Sequence, residues 1–203
     1  QYNLETKTTQ NLTEDNLGYD TNPAFSPTGN LTWLQMKRDG YEADKNDIIV
    51  SFKGMKINLT ANWDGSVESF RWSKDGKKVY FIAAVDGTQQ LFEVNFPGLT
   101  KIAVMVNQVT SGDFDVHDII DITGDTAILT RTDMNHALEI YSCNLKKNTW
   151  TQLTKVNDDT YAKLSLPKYE RRYVTTTDGK KMLVWVILPP NFDTTKKYPT
   201  LLY

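Results

Sequence analysis

The sequence has one cysteine, Cys143, only two histidines and no long apolar run. A single cysteine excludes an intrachain disulfide, and we interpret Cys143, which lies in a strand-like run, as a buried thiol rather than a nucleophile. No run approaches the roughly 18 apolar residues that a membrane-spanning helix requires. With 23 basic and 25 acidic residues, the chain does not indicate an electrostatic surface for nucleic acid or membrane.

What the sequence does contain is a repeat, in which a branched apolar residue followed by threonine closes a short strand-like run. It occurs at Leu12-Thr13, Leu59-Thr60, Val109-Thr110 and Leu153-Thr154, at intervals of 47, 50 and 44 residues. Turn signals at residues 26–30, 73–77 and 122–125 keep the same period. A period of roughly 40–50 residues with about four strands is typical of β-propeller blades. The chain has room for about three blades, so we expect it to be part of a larger ring.

The segments between the turns predict an all-β fold, because they alternate apolar and polar residues or are rich in β-branched and aromatic residues. We predict an outer strand ending at Thr13, then blades over residues 21–60, 66–110 and 116–154. Aromatic residues are expected to pack between stacked blades rather than against a ligand. They are Phe25, Trp33, Phe70, Trp72, Tyr80, Phe81, Phe92 and Trp150.

The pattern changes after Tyr161. We predict a partial β-propeller over residues 1–160, a linker over 161–171 and the first strands of a second, truncated domain over 172–203. Within the last range, residues 172–188 have the pattern of a β-hairpin with an Asp-Gly turn at Asp178-Gly179, and residues 197–203 that of a third, apolar strand.

Several of these segments resemble the prolyl oligopeptidase family of serine peptidases. They are the Ser-Pro-x-Gly turn at residues 26–29, the run from Asp178-Gly179 to Pro189-Pro190, and Lys197-Tyr198-Pro199. The loop at residues 36–45 is similar to one in the dipeptidyl-peptidase and acylaminoacyl-peptidase branch, in particular its type-5 members in bacteria and fungi. The resemblance implies a propeller that caps an α/β-hydrolase domain, which would begin with the hairpin and the strand at residues 197–203.

The sequence lacks the catalytic residues that this family uses. A serine nucleophile needs a sharp Gly-x-Ser-x-Gly turn, a base and oxyanion donors, and no such turn is present. His117 and His136 lie in segments that we interpret as blade-edge and turn positions. We therefore assign no catalytic residue and expect this chain alone to be inactive. The resemblance implies no cofactor, and the acidic stretch at residues 113–121 does not have the spacing of a Ca²⁺ loop, so no metal site is predicted.

The resemblance does imply a substrate-binding role for the propeller, because acidic residues hold the free α-amino group of the substrate in aminopeptidase members. Glu42 and Asp44, flanked by Tyr41, lie in a long insertion between two strands of one blade. A carboxylate near a positive amine would favour peptides with a free N-terminus. These three residues are the candidates, and the alternative is a solvated charged loop.

Two functions follow from these patterns. The favoured hypothesis is a fragment of a serine exopeptidase, periplasmic or secreted, whose propeller gates and positions peptide substrates. The alternative is a noncatalytic propeller that serves as a binding or assembly scaffold, which leaves residues 173–203 unexplained. Peptides are the expected partners, with no nucleic acid and no membrane. Self-association through open propeller edges is a further expectation, because unpaired strands and apolar faces promote association.

Overall fold

The structure is a computed structural model that describes residues 1–100 and 104–203. These residues form three four-stranded antiparallel sheets, a two-stranded hairpin and a four-residue helix, α1 (Asp158–Tyr161). Each four-stranded sheet is a meander, in which strands that follow one another along the chain are hydrogen-bonded neighbours. The architecture confirms the all-β prediction and the expectation of about three blades.

The first sheet contains β1 (Asp20–Phe25), β2 (Leu31–Gln35), β3 (Asp47–Phe52) and β4 (Met55–Asn58). The β1–β2 ladder shifts register between Thr21 and Ala24. Pro23 lies inside this irregularity, where its missing N–H removes no ladder hydrogen bond. Strand β3 is buried through Ile48, Ile49 and Val50, so it lies in the interior although β1 is largely exposed.

The second sheet contains β5 (Val67–Trp72), β6 (Lys78–Val85), β7 (Thr88–Asn95) and β8 (Val106–Gln108). Both of its faces are covered. Val79 and Phe81 of β6 pack towards the first sheet, whereas Tyr80 and Ile82 pack towards the third. Because side chains alternate between faces along a strand, a strand covered on both sides is apolar at consecutive positions, as β6 is.

The third sheet contains β9 (Asp115–Thr123), β10 (Thr126–Thr132), β11 (Glu139–Asn144) and β12 (Thr149–Gln152). Its core includes the free thiol of Cys143, and burial raises the pKa of this thiol to about 11. Such a thiol stays protonated at neutral pH, which fits the interpretation of Cys143 as a structural residue.

The hairpin contains β13 (Lys168–Thr175) and β14 (Lys181–Leu188), paired along their full lengths. Its turn is closed at Thr176, whose N–H and hydroxyl both donate to the Lys180 carbonyl. The hairpin is present as predicted, but β13 starts at Lys168, inside the range 161–171 that we predicted to be a linker. The domain boundary at residue 172 stays a prediction.

The apolar-threonine repeat proves to be a hydrogen-bonding device. The Thr110 hydroxyl, at the end of the second sheet, accepts the N–H of Leu91 (2.9 Å) and donates to Gln90 Oε1 (2.8 Å). Thr60 makes the same pair of bonds with Ile48 and Asp47, and Thr154 makes them with Ile140 and Glu139. In each sheet the threonine thus ties the chain leaving the fourth strand to the third strand.

The three sheets stack through side chains. Trp72 at the end of β5 donates its indole N–H to the Thr32 hydroxyl of β2 over 3.0 Å, and both residues are buried. Trp63, in the connection from β4 to β5, lies against the rings of Phe81 and Phe92. Five of the predicted core aromatics are buried: Trp33, Trp72, Tyr80, Phe81 and Phe92. Phe70 and Trp150 are partly buried.

Three sequence expectations are wrong. Phe25 is 71% exposed, because β1 is an edge strand and none of the described residues covers that side. Residues 1–13 form an isolated bridge between Tyr2 and Thr9 rather than a strand ending at Thr13. Residues 197–203 are not a strand. A strand needs a hydrogen-bonding neighbour, and among the described residues neither of these two segments lies along a sheet.

The threonine device predicts a large effect of Thr110→Val, which keeps the shape of the side chain and removes its hydroxyl. Thr110 is 1% exposed, so the substitution would leave the backbone N–H of Leu91 and the side-chain oxygen Oε1 of Gln90 buried and without this hydrogen-bond partner. We expect the free energy of unfolding to fall by about 2 kcal/mol, measured by urea denaturation. The matched control is Thr151→Val on an exposed position of β12, with an expected change of about 0.5 kcal/mol or less. Equal effects of the two substitutions would contradict the role of the device.

Candidate functional site

A cavity of about 530 Å³ opens at one end of the first sheet. Strand direction alternates in a meander, so the β2–β3 loop (residues 36–46) and the β4–β5 connection (residues 59–66) emerge at the same end. Asn46 joins them, because its N–H donates to Ser66 Oγ and its carbonyl accepts the Val67 N–H, both over 3.1 Å. The two segments form the walls of the cavity, which we call the first cavity.

The first cavity is negatively charged. Glu42, Asp64 and Glu68 line it and form no ion pair with any residue that the structure describes. Lys45 also lines it, but its ammonium lies 2.8 Å from Asp47 and donates to the Thr60 carbonyl over 2.7 Å. The charge of Lys45 is therefore already matched, and the net field in the cavity favours a cation.

Asp44 lines the first cavity too, but its carboxylate is occupied by its own loop. It accepts the N–H groups of Lys37 (3.1 Å) and Arg38 (2.9 Å) and the Arg38 guanidinium (3.0 Å). These bonds, that of the guanidinium foremost, hold the pKa of Asp44 well below its usual range. Asp44 therefore stabilises the loop that contains Glu42.

Tyr41 lies outside the lining of the cavity. The Arg38 guanidinium lies over its ring, with 3.8 Å from Cζ to the ring centroid, so Tyr41 and Asp44 together hold Arg38 in place. Of the three predicted site residues, the structure places Glu42 and Asp44 in the lining of the first cavity and Tyr41 outside it. Their role in binding substrate stays a prediction.

Sequence reasoning missed Asp64 and Glu68, which the first cavity brings close to Glu42. In the sequence, Asp64-Gly65 reads as a turn only. The usable signal is topological, because the second and fourth strands of a meander end at the same side of the sheet.

The hairpin packs against the corresponding end of the second sheet. A Cβ on Gly87, in the β6–β7 turn, would lie 2.5 Å from Leu183 Cδ2 and 2.9 Å from Trp185 Nε1 of β14. On β13, Arg171 forms an ion pair of 2.6 Å with Asp113. Since Gly87 also has a φ of +71°, the tight turn and the close approach both require glycine here.

A second cavity, also of about 530 Å³, opens at the equivalent end of the third sheet, and His136 is one of the residues that line it. His136 is in the turn between β10 and β11, as predicted, and its Nδ1 contacts both carboxylate oxygens of Asp133. His117 is exposed on strand β9.

In residues 1–100 and 104–203, no three His, Cys, Asp or Glu side chains are grouped as metal ligands would be. No helix in those residues has the length and apolar composition to span a bilayer.

The Asp44 contacts predict a pH-dependent effect of Asp44→Asn. Because the folded-state pKa of Asp44 is lowered, its contribution to stability is present above the unfolded-state value of 3.8 and is lost as pH falls through the folded-state pKa. We expect Asp44→Asn to lower the melting temperature at pH 7, and the difference to shrink between pH 4 and pH 2. The control is Asp39→Asn in the same loop. A difference that is constant with pH would refute a role for the ionised carboxylate.

Comparison with known proteins identifies the family. A family model of the dipeptidyl peptidase IV N-terminal region matches residues 43–183. A dipeptidyl-peptidase 5 of Porphyromonas endodontalis is 43% identical over 100% of the chain, which spans 29% of the length of that relative.

Solved structures show the same fold. The structure of dipeptidyl peptidase 4 from Porphyromonas gingivalis superposes with a TM-score of 0.58 and 13% sequence identity. The match covers 91% of the present chain and 26% of the dipeptidyl peptidase 4 chain. The β-propeller domain of the Trilobed protease from Pyrococcus furiosus superposes with a TM-score of 0.52 and 18% sequence identity. The match covers 70% of the present chain and 40% of the protease chain. The fold, the motifs and the family match agree, and the chain belongs to the dipeptidyl peptidase IV N-terminal region family.

Proposed function

We propose that this chain is the propeller segment of a serine exopeptidase that releases dipeptides from peptides. The observation that carries the proposal is the 43% identity to a dipeptidyl-peptidase 5 over the whole chain. Because the chain spans 29% of that relative, the reaction is proposed for the whole protein. In this proposal the nucleophile, base and oxyanion donors lie outside the 203 residues, and the propeller admits and orients the substrate.

The first cavity is the proposed site for the α-ammonium group of the peptide. Glu42 is the carboxylate best suited to bind it, because Asp44 is occupied by Arg38 and Glu42 has no ion pair among the described residues. Asp64 and Glu68 add negative charge on the opposite wall. Charge-assisted hydrogen bonds from an ammonium group are short and strong, so this site would select peptides with a free N-terminus.

The hairpin is the proposed start of the hydrolase domain. Its contacts with Gly87 and Asp113 hold it at the same end of the sheets as the first cavity. In the whole protein, residues 197–203 would gain the neighbouring strand that they lack among the described residues. Such an arrangement would place the hydrolase sheet close to the proposed amine site.

Since the relatives in Porphyromonas are bacterial, we propose that the protein is periplasmic or secreted, which cell fractionation tests.

The proposal predicts the effect of Glu42→Gln on peptide hydrolysis by the whole protein. We expect kcat/KM for a dipeptidyl anilide to fall by about 10-fold, chiefly through KM, because a charge-assisted hydrogen bond contributes about 1.5–3 kcal/mol. Glu14→Gln, on an exposed residue outside the cavity, is the matched control and should leave the kinetics unchanged.

Two results would contradict the proposal in different ways. Equal hydrolysis of free and N-acetylated substrates would exclude the amine site but leave the peptidase intact. Absence of hydrolysis with every peptide substrate, in a properly folded whole protein, would exclude the peptidase and favour the noncatalytic scaffold.

Self-association is proposed for the 203-residue chain itself. Strand β1 is an edge, and Phe25 on it is exposed, so a second copy has both a strand to pair with and an apolar side chain to cover. We expect light scattering to show a concentration-dependent mass that Phe25→Lys reduces. The control is Met134→Lys, which places the same charge on an exposed apolar residue of the β10–β11 turn. A monomer at every concentration would contradict the expectation.

A further inference from the structure

The second cavity differs in its lining from the first. The β10–β11 turn and the segment that follows β12, including α1, enclose it. Asp133, His136, Glu139, Tyr141, Asp158 and Tyr161 line it. The Tyr161 hydroxyl accepts the Ala137 N–H over 2.8 Å, and this bond joins the two walls.

Aromatic rings form much of the wall. His136 and Tyr161 meet edge to face, with centroids 4.9 Å apart and planes at 80°, and Tyr141 lies on the neighbouring strand β11. The faces of such rings attract cations, and their flat surfaces pack against methylene groups. The cavity therefore suits a ligand that has an aliphatic stem and a positive head.

The cavity also contains a buried carboxylate without a cationic partner. Glu139 is 5% exposed and accepts the Val156 N–H (2.9 Å) and the Thr154 hydroxyl. A carboxylate can accept about four hydrogen bonds, so acceptor capacity remains. Arg131 faces Glu139 across the ladder, but its guanidinium lies over the Phe114 ring, 3.9 Å from the centroid, and 5.2 Å from the centroid of the Tyr141 ring. No lysine or arginine among the described residues forms an ion pair with Glu139 or Asp158.

Asp133 and His136 complete the polar lining. Nδ1 of His136 lies 2.9 and 3.0 Å from the two Asp133 oxygens. One carboxylate oxygen of Asp158 accepts the Gln152 amide N–H over 3.3 Å. The second oxygen has no hydrogen bond from the described residues and can accept one from a ligand. Three of the lining residues are thus carboxylates, Asp133, Glu139 and Asp158, and no lysine or arginine lines the cavity.

We propose that the second cavity binds an alkylammonium group of the lysine side-chain type. The methylene stem packs on Tyr161, because the Arg131 guanidinium already lies over the Tyr141 ring. The ammonium donates to Asp158 and to the remaining lone pairs of Glu139. An ammonium has three donors and no acceptor, which matches the carboxylates of the lining. The inference concerns binding at the third sheet and does not rest on the proposed peptidase activity or on the first cavity.

The test is titration of the protein with Nα-acetyl-lysine amide, followed by calorimetry. Its blocked α-amine removes the group expected at the first cavity. We expect saturable binding in about the millimolar range, and no saturable binding of Nα-acetyl-norleucine amide, which keeps the stem and lacks the charge.

A pair of neighbouring substitutions locates the binding. Asp158→Asn should weaken the binding of the lysine probe about 10-fold, the scale of one charged hydrogen bond. Asp159→Asn, which removes the same charge from an exposed residue outside the lining, should leave binding unchanged. Equal binding of the norleucine probe, no saturable binding of the lysine probe, or equal effects of the two substitutions would each overturn the proposal.

Discussion

The threonine hydroxyl at the end of each sheet is the interaction on which the arrangement of this molecule depends. It accepts a backbone N–H from the third strand and donates to a side chain there: Asp47, Gln90 or Glu139. Each bond is worth about 1 kcal/mol, yet together they determine where the chain leaves one sheet and enters the next. Since the cavities form between that exit and the loop joining the second and third strands, the same hydroxyl that holds the sheet also fixes one wall of each candidate site.

Stacking sets the second constraint. The middle sheet is covered on both faces, and each outer sheet contributes a face to one of the two cores. A blade of four strands cannot bury its apolar residues alone, so its stability comes from its neighbours. The Trp72–Thr32 hydrogen bond adds a directional contact between sheets whose other contacts are mainly apolar, and so it limits how the blades can rotate relative to one another.

Much of the fold could be predicted from the sequence, because the repeat, the turn residues and the alternation of apolar residues are local signals. Strands β2, β6 and β10 and the hairpin follow from them directly. Phe25 and residues 197–203 could not be placed, because whether an apolar residue is covered depends on a neighbour that no local pattern specifies. The site was half predictable. Glu42 and Asp44 belong to a conspicuous charged loop, whereas Asp64 and Glu68 join them only through the topology of the meander.

The tight turn at Gly87 has a consequence for how this kind of surface can diversify. The ends of the first and third sheets have long loops and are hollow, whereas the end of the middle sheet has a minimal turn and supports the hairpin. The three sheets share the same strand order, so the length of the loop between the second and third strands contributes to whether a sheet end forms a cavity or supports the hairpin. Insertions and deletions at these three positions would therefore change the shape of the surface while leaving the three sheets intact.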